Sequence, residues 1–218
     1  MISALTLPIY RLAKPLLLGT CCYLLLGATS CLGLDVLRIE EHWELHVGGP
    51  DTDRCAPQVT MVMAPTANLN GDFFIFTLNH WSRPDFASGG LEVQRWSGDN
   101  WVSSHHGSNK SSMGIDGEIV TWTQSLELTG SQLSFTISDG DSQTWGHFGG
   151  QGLLRTSFPT ELTRLNDYLP ATSFSGSGIS YAGNRVSSLT LTKLVWWTSD
   201  GVEHEKVAPI DIDTDLDP

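Results

Sequence analysis

The stretch that decides the fold is residues 118–150, EIVTWTQSLELTGSQLSFTISDGDSQTWGHFGG. Apolar and polar residues alternate on both sides of the dipeptide Thr129-Gly130. Period-two alternation across a short glycine turn predicts two half-buried antiparallel strands joined as a hairpin. The residues expected on the buried face are Val120, Trp122, Leu126, Leu128, Leu133, Phe135 and Ile137.

The rest of the chain repeats this pattern of short apolar runs and turns. Strand-like runs occupy residues 36–47, 58–64, 72–79, 91–96 and 186–198, with glycine, aspartate and asparagine between them. Only residues 160–169 carry a helical spacing of leucines, with Thr160 as the expected N-cap. The sequence therefore predicts an all-β protein, an antiparallel β-sandwich or jelly roll of roughly eight to ten strands with at most one short helix.

The N-terminus has the layout of an export signal. Arg11 and Lys14 precede an uncharged, mostly apolar run, and small residues lead up to Cys31. This order predicts a signal peptide over residues 1–30, a single β-sandwich domain over 31–209, an acidic tail over 210–218, and a secreted or cell-envelope location. Ordinary cleavage, lipidation of Cys31 as in bacterial lipoproteins, and an uncleaved anchor over Leu16–Leu34 all remain open.

Two cysteines would remain in the exported chain, Cys31 and Cys55. An oxidising compartment permits a disulfide between them, whereas lipidation of Cys31 would leave Cys55 as a thiol. Both alternatives stay open at the level of the sequence.

The excess of acidic over basic residues limits the kinds of molecule that this protein is expected to bind. The chain has 24 acidic and 12 basic residues, a net charge of −12, and two of the basic residues lie in the predicted signal. Nucleic acids require clustered Lys and Arg, so a nucleic-acid partner is excluded, and contact with membrane is expected only through the signal or a lipid anchor. Neutral glycans and cations remain compatible with this charge.

Tryptophan supplies the strongest indication of a ligand, because all eight Trp residues lie beyond the predicted signal. Alternation places Glu92, Gln94 and Trp96 on one polar strand face, which combines hydrogen-bonding groups with an aromatic platform for a sugar ring. Trp101 and Trp145, at strand ends near glycines, complete the predicted carbohydrate-binding set. Packing of these indoles in the core is the competing interpretation.

Metal binding is a weaker hypothesis on two segments. His42, Glu44 and His46 alternate on one strand face and are residue types that bind zinc or copper. Asp139 and Asp141 flank a glycine and offer oxygen ligands for calcium. A plain polar edge and a solvated turn are the competing interpretations, so no cofactor is predicted and calcium stays open.

No catalytic residue is predicted. The motifs G-x-S-x-G and H-E-x-x-H are absent from the sequence. The sequence favours an exported binding or surface module, with an extracellular carbohydrate-active enzyme and a structural cell-envelope protein as alternatives.

Three phrases of the mature chain also carry a resemblance: TLNH at 77–80 with the loop to 91, SQTWGHFGG at 142–150, and ISYAGNRV at 179–186. Together they resemble a group of secreted, uncharacterised, lectin-like β-sandwich proteins of environmental bacteria. The resemblance implies the same fold and compartment, and it assigns no function and no site residue.

Overall fold

Alternating apolar side chains build two sheets that face each other in the computed structural model of the protein. The structure describes residues 33–48, 57–79, 90–109, 111–150, 152, 154–180 and 185–211. Within these ranges the chain forms eleven strands, all paired antiparallel, and one short helix. The strands are β1 Val36–Val47, β2 Gln58–Met63, β3 Asp72–Leu78, β4 Leu91–Ser97, β5 Asn100–His106, β6 Glu118–Thr129, β7 Gln132–Asp141, β8 Arg155–Pro159, β9 Gly178–Ser180, β10 Val186–Thr198 and β11 Glu203–Asp211, and the helix is α1 Pro170–Gly176.

The strands make a six-stranded sheet in the order β11-β10-β1-β6-β7-β8 and a five-stranded sheet in the order β5-β4-β3-β2-β9. The inner faces of the two sheets supply one core of buried apolar side chains. This arrangement confirms the predicted all-β antiparallel sandwich with at most one short helix. Among the described residues, no helix has the length and apolarity needed to cross a membrane.

Strands β6 and β7 form the hairpin that their alternation predicts, and both are internal strands of the six-stranded sheet. Leu126 pairs with Phe135 and Leu128 with Leu133. Gly130 adopts a φ of 62° in the turn, a left-handed conformation that glycine accepts at little cost. Each of the seven predicted inward residues is buried, so period-two alternation identified the core face of this hairpin correctly.

Aromatic side chains fill the space between the sheets. Trp43 of β1 stacks on Trp122 of β6 with ring centroids 6.3 Å apart, and Phe74 of β3 stacks on Phe135 of β7 at 4.8 Å. All four are almost fully buried. Trp43 and Trp122 are cross-strand neighbours in one sheet, whereas Phe74 and Phe135 belong to different sheets, so the second stack connects the two inner faces.

The helix lies later in the chain than the leucine spacing predicts. Residues 160–169 contain no helix, and α1 begins at Pro170, whose fixed φ suits the first helical turn. The amide of Leu165 instead donates to the carbonyl of Val36, and Leu165 and Tyr168 are buried in the core. Leu165 is the buried anchor of an irregular segment, whereas Leu162 is half-buried and Leu169 is exposed, so the predicted helix over 160–169 was wrong.

Two predictions about strand limits also need correction. The composition of residues 171–183, rich in Ser and Gly, predicts a loop, but this stretch contributes most of α1 and the short edge strand β9, which pairs with β2. At the C-terminus, Ile210 and Asp211 pair with Leu191 and Thr190, so β11 extends into the predicted tail 210–218. Cross-strand pairing in both places supplies backbone partners that local composition does not reveal.

One end of the sandwich, here called the loop end, is the end at which β1, β3, β5 and β7 finish and β2, β4, β6, β8 and β10 begin. The described parts of the β5–β6 and β7–β8 connections lie at this end. At the opposite end, tight turns join β4 to β5, β6 to β7 and β10 to β11. Loops held by a rigid sandwich commonly carry binding sites, so the loop end is a second candidate location beside the sheet faces.

Candidate functional site

A chain of hydrogen bonds runs along the outer face of β4, where alternation places Glu92, Gln94 and Trp96 together. The Trp96 indole Nε1 donates to Gln94 Oε1 at 2.9 Å, and Gln94 Nε2 donates to Glu92 Oε2 at 2.9 Å. Each side chain fixes the next, so the plane of the indole is held in one orientation. These three residues, together with Phe73 of β3 and Trp101 of β5, are called the β4 platform below.

The side chains of the β4 platform differ in how far they are exposed to solvent. Glu92 is only 2% exposed, and its Oε1 lies 3.4 Å from Nε2 of His106 on β5. Gln94 and Trp96 are half-buried. Glu92 was predicted to contact a ligand; its burial makes it the group that orients Gln94 instead.

Trp101 is the most exposed ring of the platform, at 57%. It is the cross-strand partner of Trp96, beside a register shift between Arg95 and Trp96. The fold thus brings four of the five predicted ligand residues, Glu92, Gln94, Trp96 and Trp101, onto two adjacent strands.

Phe73 is a platform residue that the sequence reasoning missed. Its ring stacks on the indole of Trp96, with centroids 6.3 Å apart and planes 13° from parallel. The run DFFIFTL of β3 is apolar at almost every position, which suggested a strand covered on both faces. Its outer face instead carries a half-buried aromatic ring beside the predicted residues.

Trp145 does not belong to the platform. It is 5% exposed, and its Nε1 donates to the carbonyl of Ser111 at 2.7 Å in the connection between β5 and β6. A buried indole offers no free face for stacking on a sugar at the platform, so its predicted place in that set was wrong. The sequence does not predict the burial of Trp145, because glycines lie on both sides of it and no strand alternation extends through them.

The histidines and carboxylate predicted as metal ligands lie on the outer face of β1 but do not converge. His46 Nε2 is 2.7 Å from Glu44 Oε1, whereas His42 lies 3.4 Å from Glu40 and 3.1 Å from the hydroxyl of Thr123. Among the described residues, no group of three His, Cys, Asp or Glu side chains has a metal-binding arrangement.

The remaining predicted sites divide between the turn after β7 and the N-terminus. Asp139 accepts a hydrogen bond from Ser138, and Asp141 lies 3.1 Å from Nδ1 of His147. The two aspartates therefore have different partners. Cys31 and Cys55, with the disulfide and lipidation hypotheses, lie outside the described residues.

A buried acidic cluster inside the sandwich was not predicted at all. Glu41 is fully buried between the sheets, and it accepts hydrogen bonds from Tyr168, Gln124 and Trp43. Burial raises the pKa of its carboxyl, while these hydrogen bonds oppose the rise. The pKa of Tyr168 is raised by burial and by the neighbouring Glu41, so its hydroxyl keeps its proton and donates.

A signal for this cluster was present in the alternation of β1. Ile39, Trp43, Leu45 and Val47 all point inward, and Glu41 occupies the same series of alternate positions. An acidic residue at an inward position predicts a buried carboxyl that needs partners.

A second buried carboxylate, Glu118, fastens the loop that follows β7. The hydroxyl of Ser142 donates to its Oε1 at 2.6 Å, and Thr144 donates through its amide at 2.8 Å and through its hydroxyl to Oε2 at 2.6 Å. Three hydrogen bonds to one buried side chain hold the start of the segment 142–150 in place.

Replacing Glu118 with glutamine is expected to lower the free energy of unfolding by about 1.5–3 kcal/mol, because an amide cannot accept hydrogen bonds at both terminal atoms. Urea denaturation measures the loss, and hydrogen exchange should accelerate at the amides of Thr144 and Trp145. Glu127→Gln is the matched control, since Glu127 is exposed on the same strand. Equal midpoints for the two variants would contradict the assigned role of Glu118.

The fastened loop forms one wall of a pocket of about 210 Å³ at the loop end. Leu91, Gly107, Ser108 and Asn109 from the ends of β4 and β5 line the opposite side. The loop contributes Trp145, His147, Phe148 and Gly149, and Leu154 closes the floor.

Comparison with known proteins adds little to this geometry. No protein-family model and no curated protein matches the chain. A solved structure of SCP-B, a member of the Eqolisin family of peptidases, in complex with the tripeptide Ala-Ile-His, aligns over 80% of this chain and 81% of that chain. The aligned residues are 14% identical and the TM-score is 0.28, which supports no statement about the activity of this chain.

Proposed function

We propose that this protein is an exported carbohydrate-binding module whose ligand lies across the β4 platform. The observation that carries the proposal is the hydrogen-bond chain from Trp96 through Gln94 to the buried Glu92. In this chain of hydrogen bonds, a buried carboxylate fixes the orientation of a surface ring. Preorganised aromatic rings lose little entropy when a ligand stacks on them.

The composition of the platform suits a neutral sugar. Trp101 offers an exposed ring face to the apolar side of a pyranose, and Phe73 supports the neighbouring Trp96 from β3. Gln94 uses one donor and one acceptor internally, which leaves a second N–H and a second lone pair for hydroxyl groups. The net charge of −12 disfavours acidic glycans.

The export signal predicted over residues 1–30 and the resemblance to secreted lectin-like sandwiches fit a module that meets glycans outside the cell. No catalytic role is assigned to the platform, because its carboxylate is buried and engaged. Calcium is not needed for this mode of binding.

Trp101→Ala is expected to reduce binding to any glycan recognised on a neutral-glycan array by roughly five- to thirtyfold, because stacking on one aromatic face contributes on the order of 1–2 kcal/mol. Binding is measured by array intensity and then by calorimetry on the best ligand. Exposure of Trp101 makes a folding defect unexpected, and urea denaturation checks this.

Trp197→Ala is the matched control. Trp197 is half-buried on β10 in the other sheet, where Arg38 stacks over it with Cζ 4.6 Å from the ring centroid. It should bind like the unchanged protein. Absence of binding to every glycan would overturn the proposal and favour a structural envelope protein, and turnover of a glycan would favour the carbohydrate-active enzyme.

A further inference from the structure

The pocket at the loop end is built more rigidly than a surface loop requires. Glu118 holds Ser142 and Thr144, and the amide of Gly146 donates to the carbonyl of Ser142 at 2.8 Å. Further on, Phe148 and Gly140 exchange two backbone hydrogen bonds of 2.9 and 3.0 Å. The wall that faces the pocket is therefore already in place before any ligand arrives.

Close packing fixes the same wall from behind. A Cβ on Gly149 would lie 2.4 Å from the carbonyl oxygen of Ile137, and a Cβ on Gly140 would lie 2.2 Å from the ring of Phe148. Only glycine fits at these two positions, so the backbone lies directly against β7 and against the aromatic ring. The edge-to-face pair of Trp145 and Phe148, with centroids 6.3 Å apart, is held in one geometry.

The polar groups at the pocket are few and directional. Asp141 Oδ1 lies 3.1 Å from Nδ1 of His147, and this contact orients the imidazole so that Nε2 lies on the side of the ring away from Asp141. His147 lines the pocket and is 93% exposed, so its ring is accessible to a ligand. Ser108 on the opposite side adds a hydroxyl group.

The described part of the lining favours an uncharged ligand. None of the lining residues that the structure describes is Lys, Arg, Asp or Glu, and Asp141 lies beside them, 3.1 Å from Nδ1 of His147. Aromatic and leucine surfaces with a hydroxyl group, the Asn109 amide and an imidazole fit a neutral ring that carries hydroxyl groups.

We infer that the pocket formed by Leu91, Ser108, Trp145, His147, Phe148 and Leu154 binds one neutral monosaccharide unit, separately from the β4 platform. Its volume of about 210 Å³ is below the roughly 300–1,000 Å³ of sites for drug-sized ligands, which suits a single ring. Leu91 and Gly107 of the pocket are adjacent in sequence to Glu92 and His106 beside the platform. The choice of a sugar rests on the proposed function, whereas the pocket stands on its own geometry.

The test is a titration of the full chain with glucose, galactose, mannose and N-acetylglucosamine. Binding is monitored through the NMR signals of the His147 ring and the Trp145 indole N–H. At least one sugar is expected to give saturable shifts with a Kd on the millimolar scale, typical of a small contact area. Glucuronate, which carries a carboxylate, should bind more weakly than glucose. If none of the four neutral sugars shifts either signal, the inference is overturned.

His147→Ala is expected to weaken the affinity for the best-bound monosaccharide by about three- to tenfold, because one hydrogen bond contributes about that much. His105→Ala, an exposed histidine on β5, is the matched control and should leave the Kd unchanged. Equal affinities of the two variants would overturn the role of His147.

Trp101→Ala separates this site from the platform. It should leave monosaccharide shifts at His147 intact even where it abolishes binding of an oligosaccharide. Loss of both together would contradict a separate pocket, and pocket binding without any platform binding would remove the proposed function alone.

Discussion

Trp43→Ala is expected to lower the free energy of unfolding by about 3–5 kcal/mol, one of the two largest effects we anticipate. Trp43 is 1% exposed, stacks on Trp122 and meets the edge of Phe174 with centroids 6.0 Å apart. Its removal leaves a cavity between the sheets and takes one hydrogen-bond donor from the buried carboxyl of Glu41. Urea denaturation with a tryptophan-independent signal, such as far-ultraviolet circular dichroism, measures the change.

Two further variants separate the contributions of volume and hydrogen bonding. Trp43→Phe keeps a ring in the core but has no indole N–H. Its decrease in the free energy of unfolding should therefore lie between zero and the decrease caused by Trp43→Ala. Trp101→Ala removes an exposed ring and should change stability by no more than about 0.5 kcal/mol. A Trp43→Ala midpoint equal to that of Trp101→Ala would refute the assigned position of Trp43 between the sheets.

The alternation of side chains predicted the sheets because it depends only on the period of a strand. It assigned Trp122 to the core and Glu92, Gln94 and Trp96 to one outer face, and the structure agrees. Alternation identifies a face but gives no partners. Phe73 reaches Trp96 through the β3–β4 register, which local sequence does not encode.

Irregular segments were predicted less well, for the same physical reason. Trp145 lies among glycines, where no period separates inside from outside, and its burial follows from a contact with Ser111, 34 residues earlier. The helix begins only at Pro170, because Leu165 and Tyr168 pack in the core from an irregular segment before it. Tertiary contacts override local propensity in both places.

The second large effect concerns the two adjacent carboxyls of β1, which point to opposite faces. The pKa of Glu41 is raised above its ordinary value of 4.5 by burial, against hydrogen bonds from uncharged neighbours. The unfolded chain thus releases this proton at a lower pH than the folded chain does. Glu41 therefore stabilises the fold below pH 4.5, and this stability is lost as the pH rises through the folded pKa, at up to about 1.4 kcal/mol per pH unit.

Glu40 should behave in the opposite way. Burial raises its pKa, but a hydrogen bond with His42 and the charge and hydrogen bond of Arg38 outweigh burial, and the pKa lies below 4.5. Its contribution to stability is present above the unfolded pKa and disappears as the pH falls through the folded value. Because Glu40 and Glu41 are neighbours in one strand, each serves as the matched control for the other.

The measurement is urea denaturation of the unchanged protein, Glu41→Gln and Glu40→Gln from pH 3.5 to 7.5 in about one-unit steps, a range that spans the ordinary glutamate pKa. The stability of Glu41→Gln relative to the unchanged protein should rise with pH, because the amide has no proton to lose. The stability of Glu40→Gln relative to the unchanged protein should instead fall as the pH rises. Parallel profiles for the two variants would mean that Glu41 is not enclosed between the sheets, and the buried cluster with Tyr168 and Gln124 would have to be abandoned.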